Sequence, residues 1–226
     1  MAFDTSGIYA TLTPTTMLWP RLLVAEAFKK DGKAVGDPKY GAAFAFPPDH
    51  ADLNPLKGKA LAVAKAKWPG VPATEIEWPF KSGTKMITEN AAKIAANEPG
   101  VRPMQEDVKK FLDGKAVLQM RTKKQPQLCK MTPQGIITLE GLSLEQNKGV
   151  FYSGVDAIFE VNFWPNTGSK GEKYITAYLN AVVSYNTGVK IAGSGAPPAA
   201  ERFKGYVGQV TAEDPTRGTL DDEISF

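Results

Sequence analysis

The chain has 226 residues, 42% hydrophobic and 23% charged, with a formal net charge of +3. No stretch approaches the roughly 18 uninterrupted apolar residues that a helical membrane span requires, and the N-terminus lacks a basic-then-apolar leader, so no membrane is expected as partner and the cytoplasm is the expected compartment. One cysteine, Cys129, and one histidine, His50, exclude a disulfide framework and any zinc site built from several thiolates or imidazoles. Cys129 reads as a small core residue and His50, after Pro47 and Pro48, as a solvated loop residue.

The charge is unevenly divided. Residues 211–226 set Arg217 against Glu213, Asp214, Asp221, Asp222 and Glu223, a balance of −4 that leaves +7 on the rest of the chain. A basic body with an acidic end points to a polyanionic ligand and a regulatory tail.

In chain order, residues 1–16 are small and polar and make a loosely held start. Met17–Phe28 favours a strand, which Pro20 restricts to a sheet edge or to a bulge near its beginning. Lys29–Lys39 reads as a basic loop by its Gly, Asp and Pro content, and Tyr40–Phe46 as a short strand antiparallel to the first. A helix is expected from Asn54, with Asn54 as its cap and Pro55 in its first turn. Its apolar side carries Leu56, Ala60 and Val63, its outer side Lys57, Lys59, Lys65 and Lys67, and Pro69-Gly70 ends it.

Ile76–Gly83 is an aromatic and proline segment. Thr88–Asn97 and Met104–Leu112 read as two short helices, part of an insertion over residues 84–114 to which no chemistry is assigned. Lys115–Thr122 alternates, with Ala116, Leu118 and Met120 on one face and Val117, Gln119 and Arg121 on the other. Strands at Leu128–Met131 and Ile136–Leu139 follow, joined by a turn at Thr132–Gly135. The run RTKKQPQLCK places four cations within ten residues around a strand end. That density exceeds what a sheet needs and marks a candidate phosphate contact.

Phe151–Gly188 reads as two long strands joined by a polar turn at Pro165–Lys173, and the remainder of the chain is organised around it. Val155, Ala157, Phe159, Val161 and Phe163 form one apolar face, and Ile175, Ala177, Leu179, Ala181 and Val183 continue it on the second strand. The opposite, polar face carries Trp164, Tyr174 and Tyr178, rings on which nucleobases can stack. Val189–Ala200 is a small-residue linker, Phe203–Val210 a last strand or ordered extension, and residues 211–226 a tail without core-forming residues.

No phosphate-binding P-loop, nucleophile elbow or paired-histidine metal motif occurs, so neither an enzyme nor a cofactor is expected. The last six residues, Asp221-Asp222-Glu223-Ile224-Ser225-Phe226, resemble the acidic tip of bacterial single-stranded DNA-binding proteins, with Ser225 in place of the usual proline. Such a tip inserts its Phe and Ile into an apolar pocket while its acids meet a basic rim. The order LWPRLL, KYGAAFAF, a Lys-rich helix, WPFKSG, RTKKQPQL, VFYSGVDAIFEVNFW and YLNAVVSYNTG resembles phage replication proteins related to the T7-type single-stranded DNA-binding proteins.

That resemblance implies a mainly β, variant OB-fold barrel over residues 1–210, interrupted by a helical insertion and followed by an acidic tail at 211–226. It also implies binding of single-stranded DNA, independent of sequence, in phage replication and recombination inside the infected bacterial host. Arg121, Lys123, Lys124 and Lys130 are then the expected phosphate ligands. Trp164, Tyr174 and Tyr178 are the expected stacking rings, with Tyr40, Trp78 and Tyr152 as secondary candidates. Through Asp221, Asp222, Glu223, Ile224 and Phe226 the tail would recruit replication proteins such as a polymerase. The competing reading is a β-rich virion or assembly protein whose polar aromatics form a protein interface; a third is an annealing protein or RNA chaperone.

Overall fold

Ten strands and three helices occupy the described residues of the computed structural model, which are 7–30, 33–140 and 149–191. In chain order they are β1 (Ile8–Ala10), β2 (Thr15–Lys30), β3 (Lys33–Phe46), α1 (Leu53–Lys67), β4 (Ile76–Glu77), β5 (Phe80–Ser82), α2 (Gly83–Ala95), α3 (Glu106–Leu112), β6 (Ala116–Thr122), β7 (Gln127–Thr132), β8 (Gly135–Thr138), β9 (Asp156–Thr167) and β10 (Lys173–Ser184). One sheet runs in the order β5-β6-β3-β2-β9-β10-β7-β8, with β1 on β9 and β4 on β10. Because β10 also lies against β6, the sheet curls back on itself into a mainly β, variant OB-fold barrel. The expected extension at 203–210 and the acidic tail lie outside the described residues.

The β9–β10 hairpin supplies one side of the core, as its alternation predicts. Val155, Ala157, Phe159, Val161, Phe163, Ile175, Ala177 and Leu179 all point inward and are buried. Past Leu179 the expected face is wrong. The register skips Asn180, pairing Leu179 with Val161 but Ala181 with Glu160, and this bulge exchanges the two sides of the strand. Val182 and Ser184 therefore turn inward, where Ala181 and Val183 were expected. The Ser184 hydroxyl is satisfied there by donating to the Val150 carbonyl at 2.8 Å.

Lys29–Lys39 is also not the loop its composition suggests. β2 and β3 pair through Phe28–Val35, Lys29–Ala34 and Lys30–Lys33, so most of that segment is a strand, with irregular register between Glu26 and Phe28 that absorbs Gly36 and Pro38. Pro20 sits where expected, in the irregular stretch between Leu18 and Arg21, beyond the short ladder that β2 makes to β9 at Thr15 and Thr16. Helix α1 starts earlier than Asn54, with Asp52 in the capping position. It closes one end of the barrel with Leu53, Leu56, Ala60, Val63 and Ala64.

The helical insertion has a packing role that the strand pattern of β6 foreshadows. Leu118 and Met120 face the barrel core, while Val117, on the other face of β6, joins Leu18, Ala43, Ala45, Val108 and Leu112 in a second cluster. Helices α2 and α3 thus roof the outer surface of β2-β3-β6 at one end. The two helices meet each other tightly: a Cβ on Gly83 would collide with the carbonyl of Leu112 at the end of α3, so only glycine fits at the start of α2.

Asp52 fastens the N-terminal segment to α1 instead of capping the helix. Its carboxylate accepts from the Tyr9 hydroxyl at 2.8 Å and the Thr13 N–H at 2.9 Å, with the Leu12 N–H at 3.3 Å. Burial raises the carboxyl pKa, but these donors, with the His50 ring nearby, outweigh it and hold the group below the usual carboxylate range. Burial, then the Asp52 bond and charge, push the Tyr9 phenol up to about 12. His50 is likewise not merely solvated: Nδ1 accepts from the Asp52 N–H at 3.2 Å, which leaves Nε2 to donate to the Pro14 carbonyl at 3.2 Å. Cys129 is buried, as expected.

Replacing Asp52 by Ala removes a buried, charged acceptor that serves these donors and is expected to cost about 1–3 kcal/mol in urea denaturation. A carboxyl held low in the folded state stabilises fully above its unfolded value, roughly pH 3.9, and loses that contribution as the pH falls through its folded value. The difference in stability between Asp52→Ala and the parent chain should accordingly shrink on acidification; a constant difference down to acid pH would contradict this assignment.

Candidate nucleic-acid interface

The outer side of β9–β10 is held in place by the burial of its inner side, since strand alternation sends every second residue outward. Trp164 is 55% exposed. Its cross-strand partner is Thr176, and Asn162 stands opposite Tyr178. Asn166 Nδ2 donates to Thr176 Oγ1 at 2.9 Å and Asn180 Nδ2 to Glu160 Oε1 at 2.9 Å, so the polar residues between the rings are tied to one another. Tyr174 and Tyr178 are half-buried on the same face. Trp164 also borders an open groove against the C-terminal end of α1, with Val63, Lys67 and Pro165.

Arg121, at the end of β6, borders a cleft on the outside of β2-β3-β6, and Lys123 and Lys124 follow it in the loop to β7. Arg121 and Lys124 are exposed, and Lys123 lies within electrostatic range of the Tyr178 phenol. Lys123 Nζ meets Asp37 Oδ2 of β3 at 2.7 Å, both side chains being about two-thirds exposed. This pair raises the lysine pKa and lowers that of the acid, first through the hydrogen bond and then through charge. Gln125 Nε2 donates to the Leu22 carbonyl at 3.0 Å and anchors the loop to β2.

Other candidates are placed elsewhere. Lys130 pairs in the backbone with Ser184 and shares the core-facing side of β7 with Leu128, away from the outer rings. Trp78 packs on the barrel core and donates its Nε1–H to the Ala73 carbonyl at 2.9 Å. Tyr152 also packs on that core, its hydroxyl donating to the Thr187 carbonyl at 3.3 Å with the Gly188 carbonyl as an alternative acceptor at 3.4 Å. Both rings cover the barrel edge. Tyr40 is half-buried in the middle of β3, opposite Thr122 at the end of β6, where it helps to line a cleft of about 220 Å3 on the outside of β2-β3-β6. The tail residues Asp221, Asp222, Glu223, Ile224 and Phe226 lie outside the described residues.

That cleft holds residues the sequence reading passed over: Trp19, Arg21, Glu26 and Lys39, beside Arg121. Trp19 carries a positive φ of 47° at the β2 irregularity, and its N–H donates to Ser153 Oγ at 2.8 Å. Such a conformation is costly for a bulky residue and persists only where its surroundings impose it. Pro20, adjacent in sequence, was the available signal.

The family model of the Enterobacter phage Enc34 ssDNA-binding protein matches residues 15–215 of this sequence. The chain belongs to that family. The fold agrees. The single-stranded DNA-binding protein from bacteriophage Enc34 in complex with ssDNA superposes with a TM-score of 0.59 at 18% identity, covering 82% of this chain and 90% of that one. A second solved structure of the single-stranded DNA-binding protein from bacteriophage Enc34 gives 0.57 at 17% identity over 87% of this chain and 90% of that one. The single-stranded DNA-binding protein of bacteriophage T7 reaches only 0.48 at 10% identity, over 88% of this chain and 100% of that one, too distant to argue from. No curated protein matches the chain. No described helix is long and apolar enough to cross a membrane, and no metal-binding cluster of His, Cys, Asp or Glu is found among the described residues.

Of the four tryptophans, Trp19, Trp68 and Trp78 are half-buried and Trp164 is exposed. Acrylamide should quench Trp164 most efficiently, so Trp164→Phe is expected to remove the most quenchable component of the emission. A quenching profile unchanged by that substitution would show that the ring is covered.

Proposed function

We propose that the chain binds single-stranded DNA through the outer face of β9–β10 and the adjoining end of β6, as a protein of phage DNA replication and recombination. The observation that carries this reading is the match of residues 15–215 to an ssDNA-binding protein family, in a chain whose exposed Trp164 shares the outer face of β9–β10 with Tyr174 and Tyr178. Phosphates are neutralised by Arg121, Lys123 and Lys124, which releases counterions. Bases stack on Tyr178, Trp164 and Tyr174, each such contact worth about 1–3 kcal/mol and tolerant of base identity. The Asp37 partner of Lys123 is no obstacle, because an exposed ion pair contributes little to stability and a phosphate can take the acid's place.

The acidic residues 211–226 carry −4 against +7 on the body, and by charge they compete with DNA for the basic face. Once displaced, the tip Asp221-Asp222-Glu223-Ile224-Ser225-Phe226 is available to recruit replication proteins such as a polymerase.

Titration with oligothymidine at two salt concentrations tests the reading. Arg121→Ala and Lys123→Ala should each weaken binding and lower the slope of log affinity against log salt by about 1. Tyr178→Ala should cost about 1–3 kcal/mol with little change in slope. Removal of residues 211–226 should tighten binding at low salt, by an amount that shrinks as salt rises. Failure of the parent chain to bind oligothymidine at low salt would refute the proposal and favour a protein-interface role for the same rings.

A further inference from the structure

The cleft on β2-β3-β6 is ill suited to a bare phosphate backbone because it contains carboxylates. Glu26 lines it, and its Oε2 is held 3.2 Å from Arg21 Nε. At about 220 Å3 the cleft is smaller than the roughly 300–1,000 Å3 of a drug-sized site, a size suited to a single base. Trp19 supplies an apolar wall whose position is set by its strained backbone and by the Ser153 hydroxyl. The Arg21 and Glu26 side chains remain about half exposed, accessible to a ligand.

We propose that this cleft reads one unpaired guanine in the bound strand, with Arg21 and Glu26 together recognising its Watson–Crick edge. The inference rests on the single-stranded DNA reading and adds one selective position to an otherwise sequence-tolerant path. A guanidinium beside a carboxylate presents a donor followed by two acceptors. The Watson–Crick edge of guanine presents the complement: the O6 acceptor, then the N1–H and N2–H donors. Thymine satisfies the first two positions but sets its O2 against the second carboxylate oxygen. Adenine and cytosine present an amino group where the guanidinium needs an acceptor. In a duplex this edge is occupied by the partner base, so the cleft selects for strand state as well as for base. Arg121 and Lys39, on the same cleft, are placed to hold the flanking phosphates.

The test uses the full chain and fluorescein-labelled oligothymidine carrying one central substitution, read by anisotropy. The expected order of affinity is guanine, then thymine, then adenine and cytosine, with guanine favoured over thymine about fivefold, the lower end for a bidentate base contact. Replacing the guanine by hypoxanthine, which lacks the N2 amino group, should reduce that advantage without any change to the protein. Glu26→Gln should bring the guanine-over-thymine ratio down to about one, because the amide offers one acceptor where guanine needs two. Equal affinity of the parent chain for all four bases, with oligothymidine binding intact, overturns this inference alone. Absence of binding to every oligonucleotide overturns it together with the function proposed above.

Discussion

Burial of one face of the β9–β10 hairpin is the constraint on which the molecule depends. Eight inward residues from Val155 to Leu179 are sealed against β1, β2, α1 and β10's other neighbours, and each large apolar side chain among them contributes about 1.5–3 kcal/mol of hydrophobic stabilisation. A one-residue slip would turn that whole set to solvent, so the register is strongly determined. The same alternation that buries Phe163 exposes Trp164, and the one that buries Ala177 and Leu179 sends Tyr178 outward. The rings of the outer face are thus placed by the packing behind them, on rigid strands, with no loop required to position them.

Sheet closure sets β10 against β6, and Lys123, just past the end of β6, comes within electrostatic range of Tyr178. The β6–β7 loop is pinned by Gln125 to β2. The cations there are either exposed, as Arg121 and Lys124 are, or engaged in an exposed pair, as Lys123 is with Asp37. Exposed ion pairs contribute little to stability, which makes them inexpensive to exchange for a ligand. The helical insertion belongs to this logic as well. By roofing Val117 and Ala43 it covers one end of the outer β2-β3-β6 surface and leaves the other end, with Arg21 and Arg121, open.

How much of this was readable in the sequence depended on the range of the determinant. Period-two alternation is local, so the inward face from Val155 to Phe163 and the outward placement of Trp164 and Tyr178 followed from it. The bulge at Asn180 has no local signature, because Asn is compatible with a regular strand, and the expected face beyond Leu179 was inverted as a result. Gly36, Asp37 and Pro38 resemble a loop in composition, yet a long ribbon accommodates them through a register shift. Lys130 was grouped with Arg121 by sequence proximity, although strand alternation on β7 turns it to the core side. Arg21 and Arg121 sit at the same cleft only because β3 lies between β2 and β6. Sheet order of that kind is a long-range outcome that composition does not encode.

The central claim is that one continuous outer surface, from Arg121 and Lys123 across Tyr178 to Trp164, is where a single strand lies. Ultraviolet cross-linking of the full chain to oligothymidine, followed by mass-spectrometric mapping of the adducts, tests it most directly. Adducts on peptides containing Tyr178, Trp164 and the β6–β7 loop are predicted. Adducts confined to α2 and α3 or to the Trp78 and Tyr152 edges, with none on the β9–β10 outer face, would contradict it.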